Sequence, residues 1–242
     1  MKTNKEMVKE MTETLEVRLI RHGEKSGDII TQEAKKAAYE LGQQLFSDGY
    51  TPRIITSPKT RAILKGGYIL RGYNDAQRGV VADTTQAGFY DDTSLPALGK
   101  PEPLLKAATL PRLDELLSCG KINETQEVST YYEMVRRPQG YDPEEAKEVR
   151  QTAVQYLSVA LQYLRGQEIP TEQQAQITDA KKSLVILIGH EPLIGCVHQL
   201  LDPVDQIQPV AYLDGIRFKT NGNVVDVSFN NAGQQYQAMI VQ

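Results

Sequence analysis

An unbroken apolar run over residues 183–188 (SLVILI) is the feature that most constrains the fold of this chain. The run is short, rich in aliphatic and β-branched residues, and ends at Gly189, as expected of a strand. Strands without polar alternation are buried on both faces, and they occur at the centre of parallel sheets that helices cover on both sides. The run therefore predicts an α/β fold with a central parallel strand.

The first part of the chain alternates between strands and helices. Residues 15–20 have the alternation of a strand, and Gly23 ends it. A helix with Thr31 as its N-cap follows, and then come a second strand over 52–57 and a helix that opens at Pro58. Because parallel strands need a crossover connection, this order predicts a parallel sheet with right-handed helical crossovers.

The C-terminal part of the chain predicts antiparallel strands. A long helix over 141–165 precedes the central strand, and strands over 210–220 and 224–229 follow it around an Asn-Gly turn. A last strand is expected over 236–241. The predicted architecture is a three-layer α/β/α sandwich whose mostly parallel central sheet carries an antiparallel edge strand.

The length of 242 residues suits a single domain, and we expect one domain over residues 1–242. Glycine and proline are frequent from about residue 72 to 130, where we predict an insertion or lid with a short helix near 110–117. Long irregular segments in compact domains are usually lids or binding loops. We expect this insertion to cover the functional site.

Charge and composition limit the partners of the chain. Its formal net charge is −4, so a general affinity for nucleic acid or for an acidic membrane is not expected. The sequence has neither the apolar core of a signal peptide nor an apolar segment of membrane-spanning length, which predicts a cytoplasmic protein. Cys119 and Cys196 do not form a disulfide framework or a metal-binding pair, and we expect two free thiols.

Basic and imidazole side chains lie where predicted strands end. Arg21 and His22 follow the first strand, Arg61 lies in the helix after the second strand, and His190 follows the central strand. Carboxyl ends of parallel strands share one edge of the sheet, where ligands bind, so these side chains could meet. Guanidinium groups hold phosphate oxygens, while one imidazole attacks phosphorus and another stabilises charge. Zinc is the rival ligand, but His198 lacks metal-motif spacing from His190 and is expected to be a packing residue.

Three segments resemble the signature segments of the histidine phosphatase superfamily, which has the phosphoglycerate-mutase-like fold. They are residues 19–24 (LIRHGE), 56–62 (TSPKTRA) and 188–192 (IGHEP), and they occur in the family's order. The resemblance implies that His22 is a nucleophile that becomes phosphohistidine. It also implies that Arg21, Arg61 and His190 form the phosphate pocket, with no metal or cofactor.

The resemblance leaves two carboxylic acids for protonation of the leaving group. In the branch with mutases and small phosphatases the acid is a glutamate in a Leu-x-Glu segment before a glycine, and Glu115 before Gly120 matches this pattern. In the other branch the acid directly follows the second histidine, where this chain has Glu191 instead of the usual aspartate. Glu115 is the preferred choice, although it lies further from Arg61 in sequence than is usual.

The predicted function is hydrolysis of phosphomonoesters through phosphohistidine at His22, on a phosphorylated small molecule or a phosphoprotein. A mutase-type phosphotransferase is an alternative, but residues 25–28 (KSGD) lack the Ser, aromatic and Asn pattern of sugar-acid mutases. A phosphohistidine protein phosphatase is a further alternative. The alternative from another class is a non-catalytic binder of phosphorylated ligands that kept the pocket and lost the acid.

Overall fold

A computed structural model describes residues 15–22, 25–26, 29–80, 84, 110–165, 182–201, 210, 215–221, 224–231 and 234–241. The strands are β1 (Glu16–Arg21), β2 (Lys25–Ser26), β3 (Ile29–Ile30), β4 (Tyr50–Thr56), β5 (Lys182–Gly189), β6 (Gly215–Asn221), β7 (Val224–Asn231) and β8 (Gln234–Val241). The helices are α1 (Gln32–Ser47), α2 (Thr60–Gln77), α3 (Pro111–Ser118), α4 (Glu124–Arg136), α5 (Pro143–Leu164) and α6 (Glu191–Leu201), with a 3₁₀ helix over Pro138–Gly140.

The main sheet has six strands in the order β4-β5-β1-β6-β7-β8. The pairs β4–β5 and β5–β1 are parallel, whereas β1–β6, β6–β7 and β7–β8 are antiparallel. The predicted α/β sandwich is confirmed, and its antiparallel edge consists of three strands. The predicted central strand, β5, lies between β4 and β1 as its apolar sequence indicated.

Alternation along the strands divides the core into two layers. On β1, Val17 and Leu19 face a large apolar cluster formed with α3 to α6, whereas Ile20 faces a second cluster formed with α1 and α2. Successive side chains of a strand point to opposite faces. Arg21 therefore continues the face of Leu19, and His22 continues the face of Ile20. Arg21 therefore lies on the side of α3 to α6, and His22 lies on the side of α1 and α2.

Helices α1 and α2 cover one face of the sheet and approach each other closely. The Thr31 hydroxyl accepts a hydrogen bond from the backbone N–H of Ala34 at 3.2 Å, which confirms Thr31 as the N-cap of α1. A Cβ at Gly42 would lie 2.0 Å from the carbonyl oxygen of Ile69. A Cβ at Gly72 would lie 1.9 Å from the carbonyl oxygen of Tyr39. Only glycine permits this approach of the two helices.

The predicted insertion over about 72–130 falls partly outside the described residues, because residues 81–83 and 85–109 are not described. The short helix expected near 110–117 is confirmed as α3. Helix α4 was not predicted, although Asn123 and Gln126 form a capping box at its start. The function of this segment as a lid stays a prediction.

Other elements are present with shifted starts, because the helix expected to open at Pro58 begins at Thr60 and the strand expected over 210–220 is described over Gly215–Asn221. Asp142 accepts hydrogen bonds from the backbone N–H groups of Glu144 and Glu145, both at 3.0 Å, and so caps α5. Cys119 and Cys196 are free thiols, the first exposed and the second buried. No helix in the described ranges is both long and apolar enough to cross a membrane.

Candidate active site

His22, Arg61 and His190 meet at the carboxyl edge of the parallel strands. Arg61 Nε donates a hydrogen bond to His22 Nε2 at 3.0 Å, and Arg61 Nη2 lies 3.5 Å from His190 Nδ1. The two imidazole rings lie edge to face with centroids 5.3 Å apart. Both histidines are buried, while Arg61 is half-buried. Three residues from distant parts of the sequence thus form one connected cluster.

Backbone pairing at the strand ends brings these residues together. The N–H of His22 donates to the carbonyl of Gly189 at 3.2 Å, which continues the pairing of β1 with β5 by one residue. The N–H of Ser57 donates to the carbonyl of Ile188 at 3.0 Å and likewise extends the pairing of β4 with β5. Helix α2 begins at Thr60, so Arg61 lies in its first turn.

Donor and acceptor chemistry assigns the protons on both rings. A guanidinium can only donate, so His22 Nε2 and His190 Nδ1 are the acceptors and carry lone pairs. The proton of a neutral His190 is then on Nε2, which lies 2.8 Å from the hydroxyl oxygen of Ser57 and can donate to it. His22 therefore presents a lone pair at Nε2, and Arg61 covers that lone pair in this arrangement.

Arg21 and Glu191 lie on the other face of the same sheet edge. The Arg21 guanidinium donates to the carbonyl of Val210 at 2.7 Å. Glu191 Oε1 accepts from the Tyr132 hydroxyl at 2.7 Å and from the Val210 N–H at 3.1 Å. Burial raises the pKa of Glu191, while the Tyr132 hydrogen bond and the Arg21 charge oppose that rise. The carboxylate is thus part of a buried polar network beside Arg21.

A glycine in α6 makes this network possible. Gly195 lies one helical turn after Glu191, and a Cβ there would lie 2.1 Å from atoms of the Tyr132 ring. Tyr132 of α4 can therefore cross α6 at this point and direct its hydroxyl to Glu191. The same two helices are also joined by the Cys196 thiol, which donates to the carbonyl of Tyr131 at 3.5 Å within a largely apolar interface.

Glu115, the preferred candidate acid, is exposed on α3. The helix is anchored by Leu113, which is buried in the larger apolar cluster, and Glu115 lies two residues further on the exposed side. Its backbone carbonyl accepts a hydrogen bond from the Ser118 hydroxyl at 2.8 Å. The described contacts of Glu115 therefore do not join it to the cluster of His22, Arg61 and His190, and its role stays a prediction.

Sequence reasoning did not select three further residues at this edge, namely Ser57, Lys65 and Tyr132. Ser57 contacts His190, as described above, and Lys65 Nζ donates to the carbonyl of Arg21. Lys65 follows Arg61 by one helical turn, and this spacing was the available signal for a shared helix face. Tyr132 had no such signal, because it comes from α4, which was not predicted.

Two further expectations from the sequence concern a zinc site and the packing of His198. Among the described residues no group of three or more His, Cys, Asp or Glu side chains could hold a metal ion. His198 is buried and stacks on Phe229, with ring centroids 4.2 Å apart and an interplanar angle of 13°. It packs between α6 and β7, as expected of a residue outside the site.

Solved structures similar to this chain include a phosphoglycerate mutase from Bacillus anthracis, with 11% identity, coverage of 93% of this chain and 96% of that chain, and a TM-score of 0.51. They also include a mycobacterial glucosyl-3-phosphoglycerate phosphatase (12% identity, coverage 95% and 98%, TM-score 0.41) and a phytase from Citrobacter braakii (12% identity, coverage 90% and 85%, TM-score 0.39). No family model and no curated protein matches the sequence. The likeness to the mutase shows the phosphoglycerate-mutase-like fold, which the sequence resemblance implied.

Proposed function

We propose that this protein hydrolyses phosphomonoesters through a phosphohistidine intermediate at His22. The observation that carries the proposal is the cluster in which Arg61 bridges His22 and His190 at the carboxyl edge of the sheet. An imidazole lone pair beside a guanidinium and a second imidazole suits phosphoryl transfer. The fold shared with a phosphoglycerate mutase supports the same class of chemistry.

The proposed reaction begins when a phosphoryl group binds between the cationic side chains. Arg61 turns its N–H groups from His22 to the phosphoryl oxygens, which uncovers the lone pair of Nε2. Nε2 attacks phosphorus, the bond from phosphorus to the leaving oxygen breaks, and an acid gives its proton to that oxygen. Water then attacks the phosphohistidine, the conjugate base takes one proton from the water, and inorganic phosphate and free His22 result.

Glu115 is the acid we propose for this step. Glu191 Oε1 already accepts two hydrogen bonds in a buried network, which suits a group that supports Arg21 and Val210. Glu115 is exposed, and the leaving group departs into solvent. To act as the acid, Glu115 must come within hydrogen-bond distance of the leaving oxygen, which stays bonded to phosphorus in the pocket until it departs. The substrate is proposed to be a phosphorylated small molecule or a phosphoprotein.

The first experiment tests the nucleophile. His22→Ala is expected to abolish hydrolysis of an aryl phosphate and to remove the acid-labile phosphoenzyme that rapid quenching traps in the wild type. His198→Gln is the control, because that histidine packs on Phe229 outside the site. Hydrolysis by His22→Ala at the wild-type rate would refute the mechanism. Binding of phosphate by the wild type without any turnover would instead support the non-catalytic binder.

The second experiment separates the two candidate acids by leaving-group dependence. A missing acid slows substrates with poor leaving groups most, so Glu115→Gln should slow an alkyl phosphate by roughly 10²-fold or more and nitrophenyl phosphate far less. Glu191→Gln should slow both substrates by a similar factor, because it disturbs the network beside Arg21. The reverse pattern would make Glu191 the acid.

The mutase alternative differs in the fate of the phosphoryl group. A mutase returns it to an organic acceptor, whereas a phosphatase transfers it to water. The lifetime of the phosphoenzyme distinguishes a mutase from a phosphatase. For the proposed phosphatase, we expect inorganic phosphate to be released without an added acceptor. A phosphoenzyme that persists in water and is discharged by added sugar acids would favour the phosphotransferase.

A further inference from the structure

Lys65 is a fully buried cation that the proposed reaction does not use. It lies on α2 one turn after Arg61, and none of its surface is exposed. Uncompensated burial of an ammonium is costly, so buried lysines are rare outside sites that need them. The chain has a second buried lysine, Lys35 of α1, whose ammonium lies over the ring of Tyr68 and which serves below as a comparison.

The ammonium of Lys65 holds the peptide unit that orients the nucleophile. Its Nζ donates to the carbonyl of Arg21, and the N–H of the same peptide unit, which belongs to His22, donates to the carbonyl of Gly189 at 3.2 Å. The peptide unit between Arg21 and His22 is thus held at both ends. Its orientation directs Arg21 to one face of the sheet and His22 to the other.

We propose that Lys65 is a positioning residue for His22 and a buried positive charge that strengthens the binding of a dianionic phosphoryl group. The inference rests on the proposed phosphate pocket. Lys65 contacts the backbone of the nucleophile and acts on the phosphoryl group through its charge, across a buried region where electrostatic interactions are weakly screened. A neutral side chain of similar length would keep the packing and lose this effect.

The protonation of Lys65 should depend on the ligand. Burial, and to a smaller extent the charge of Arg21, lower the pKa of Lys65 from 10.5 to about 7. The charge of Arg21 at the end of β1 acts on Lys65 directly, and Arg61, which contacts His22 and His190, lies one turn before Lys65 on α2. An anion in the pocket favours the charged form of Lys65, so binding should be accompanied by proton uptake.

Sulfate is a suitable probe, because it stays a dianion across the neutral range and takes up no proton itself. Sulfate affinity of the wild type should fall as the pH rises through the neutral range. An anion that raises the pKa of Lys65 by one unit binds the protonated form about tenfold more tightly. Calorimetry in buffers of different ionisation enthalpy measures the protons taken up on binding.

Two variants separate the charge of Lys65 from its hydrogen bond. Lys65→Gln keeps an N–H donor for the Arg21 carbonyl but has no charge, and Lys65→Met has neither. Both should lose the share of proton uptake that Lys65 provides and weaken sulfate binding at about pH 6 by roughly tenfold. Lys65→Met should in addition lower kcat at high pH, where the wild-type amine is neutral, whereas Lys65→Gln should not. Lys35→Met is the matched control and should leave sulfate affinity unchanged.

A measurement on the wild type alone keeps the test independent of folding in the variants. Nitrogen NMR of labelled lysine should find one amine that titrates near neutrality and whose pKa rises when sulfate is added. Equal proton uptake by the wild type and Lys65→Gln, or no shift of that amine, would overturn the inference. Failure of the wild type to bind sulfate would instead count against the phosphate pocket, so the two failures are distinguishable.

Discussion

The hydroxyl of Ser57 determines which nitrogen of His190 faces the pocket. It lies 2.8 Å from Nε2 and is fully buried, so Nδ1 is left toward Arg61. When a phosphoryl group binds, Nδ1 can donate to it only after His190 takes up a second proton. Ser57 accepts the Nε2 proton of that doubly protonated ring and so favours it. The side chain acts on catalysis through His190.

Ser57→Ala is expected to lower kcat/KM by roughly tenfold, the effect of one lost hydrogen bond of about 1.4 kcal/mol. The alkaline side of the pH–rate profile should also shift to lower pH, because the reaction needs protonated His190 and the variant loses the acceptor that stabilises this charged form. Nitrogen NMR can follow this directly, since the chain has three histidines. An unchanged pH–rate profile together with an unchanged His190 tautomer would contradict the role of Ser57.

The neighbouring residue provides the control for this variant. Thr56 Oγ1 is buried and has no hydrogen-bond partner among the described residues. Thr56→Val conserves the shape of the side chain and removes a hydroxyl from the last residue of β4, directly before Ser57. Its kinetics and its histidine spectrum should match those of the wild type.

At the residue scale, sequence patterns identify the side chains that follow the ends of strands. They do not identify the neighbouring side chains that hold those residues in position. His22 and His190 follow strands directly, and Arg61 stands in a recognisable segment, so all three could be predicted. Ser57 and Lys65 also lie in or near that segment. Their roles depend on one hydroxyl and one ammonium reaching groups far away in sequence. Such contacts follow from tertiary packing, which local patterns do not specify.

At the scale of elements, the crossing of α4 and α6 supports the half of the site around Arg21. Tyr132→Phe removes one of the two donors to Glu191 Oε1 in a buried network. We expect a loss of about 1–3 kcal/mol in the free energy of unfolding at neutral pH and a further rise in the pKa of Glu191. Urea denaturation and a carboxyl titration by carbon NMR measure the two effects.

A double-mutant cycle with Glu191→Gln isolates the contact between Tyr132 and Glu191. If the two side chains interact as described, the combined variant should be more stable than the sum of the single losses implies. Additive losses would show that the tyrosine stabilises the protein only by packing against Gly195.

The packing of α1 on α2 gives a second prediction for elements. Gly72→Ala places a methyl group where the carbonyl of Tyr39 would be only 1.9 Å away, so the helices must separate. The expected loss of stability is about 1–3 kcal/mol by thermal or urea denaturation. Gly140→Ala is the control, because a Cβ there has no heavy atom within 4 Å and its stability should hardly change. Equal stability of the two variants would contradict the close approach.

Helices α5 and α4 differ in how well the sequence predicted them. Helix α5 has an aspartate cap, a proline in its first turn and a regular apolar stripe, and the structure agrees with the sequence at both ends. Helix α4 has the polar first turn Glu124-Thr125-Gln126 and buries Val128, Tyr131, Tyr132, Met134 and Val135. Its buried residues recur at helical spacing and its capping box marks the start, so the sequence carried a signal that the prediction did not use.

At the scale of the whole molecule, the order of strands is what local patterns could not provide. Strand β5 lies between β1 and β4 although it follows them by more than a hundred residues. Its apolar sequence predicts a central position but does not name its neighbours. The position of β5 brings His190 between the ends of β1 and β4. The site therefore depends on a strand order that is set by contacts between residues distant in sequence.

The opposite end of β1 contains a polar cluster that is separate from the site. Glu16 is 1% exposed and accepts hydrogen bonds from Arg18 Nε at 2.6 Å, Arg217 Nη2 at 2.6 Å and the Tyr50 hydroxyl at 3.1 Å. Burial alone would raise the pKa of Glu16, but the hydrogen bonds and charges of Arg217 and Arg18 outweigh it and lower the pKa. The cluster ties β1 to β4 and β6.

The lowered pKa of Glu16 makes the stability of the whole molecule depend on pH. The unfolded chain binds the Glu16 proton at a higher pH than the folded chain does. Its stabilising contribution is therefore fully present above the ordinary value of 4.5 and is lost as the pH falls through the folded pKa. Glu16→Gln should lower the free energy of unfolding at neutral pH by about 1–3 kcal/mol and reduce its slope below that value. Urea denaturation at a series of pH values measures both.

The control is Glu40→Gln, which removes one partner of an exposed pair with Lys36 and should change stability little. Six residue steps along the strand lead from Glu16 to His22, a distance of about 20 Å at 3.3 Å per residue. Because Glu16 is paired with the partly exposed Arg18 and Arg217 at that distance, Glu16→Gln should change sulfate affinity by no more than severalfold while it destabilises the fold. A larger loss of sulfate affinity in the folded variant would show that the two ends of β1 are coupled, and would contradict the independence of the site from this cluster.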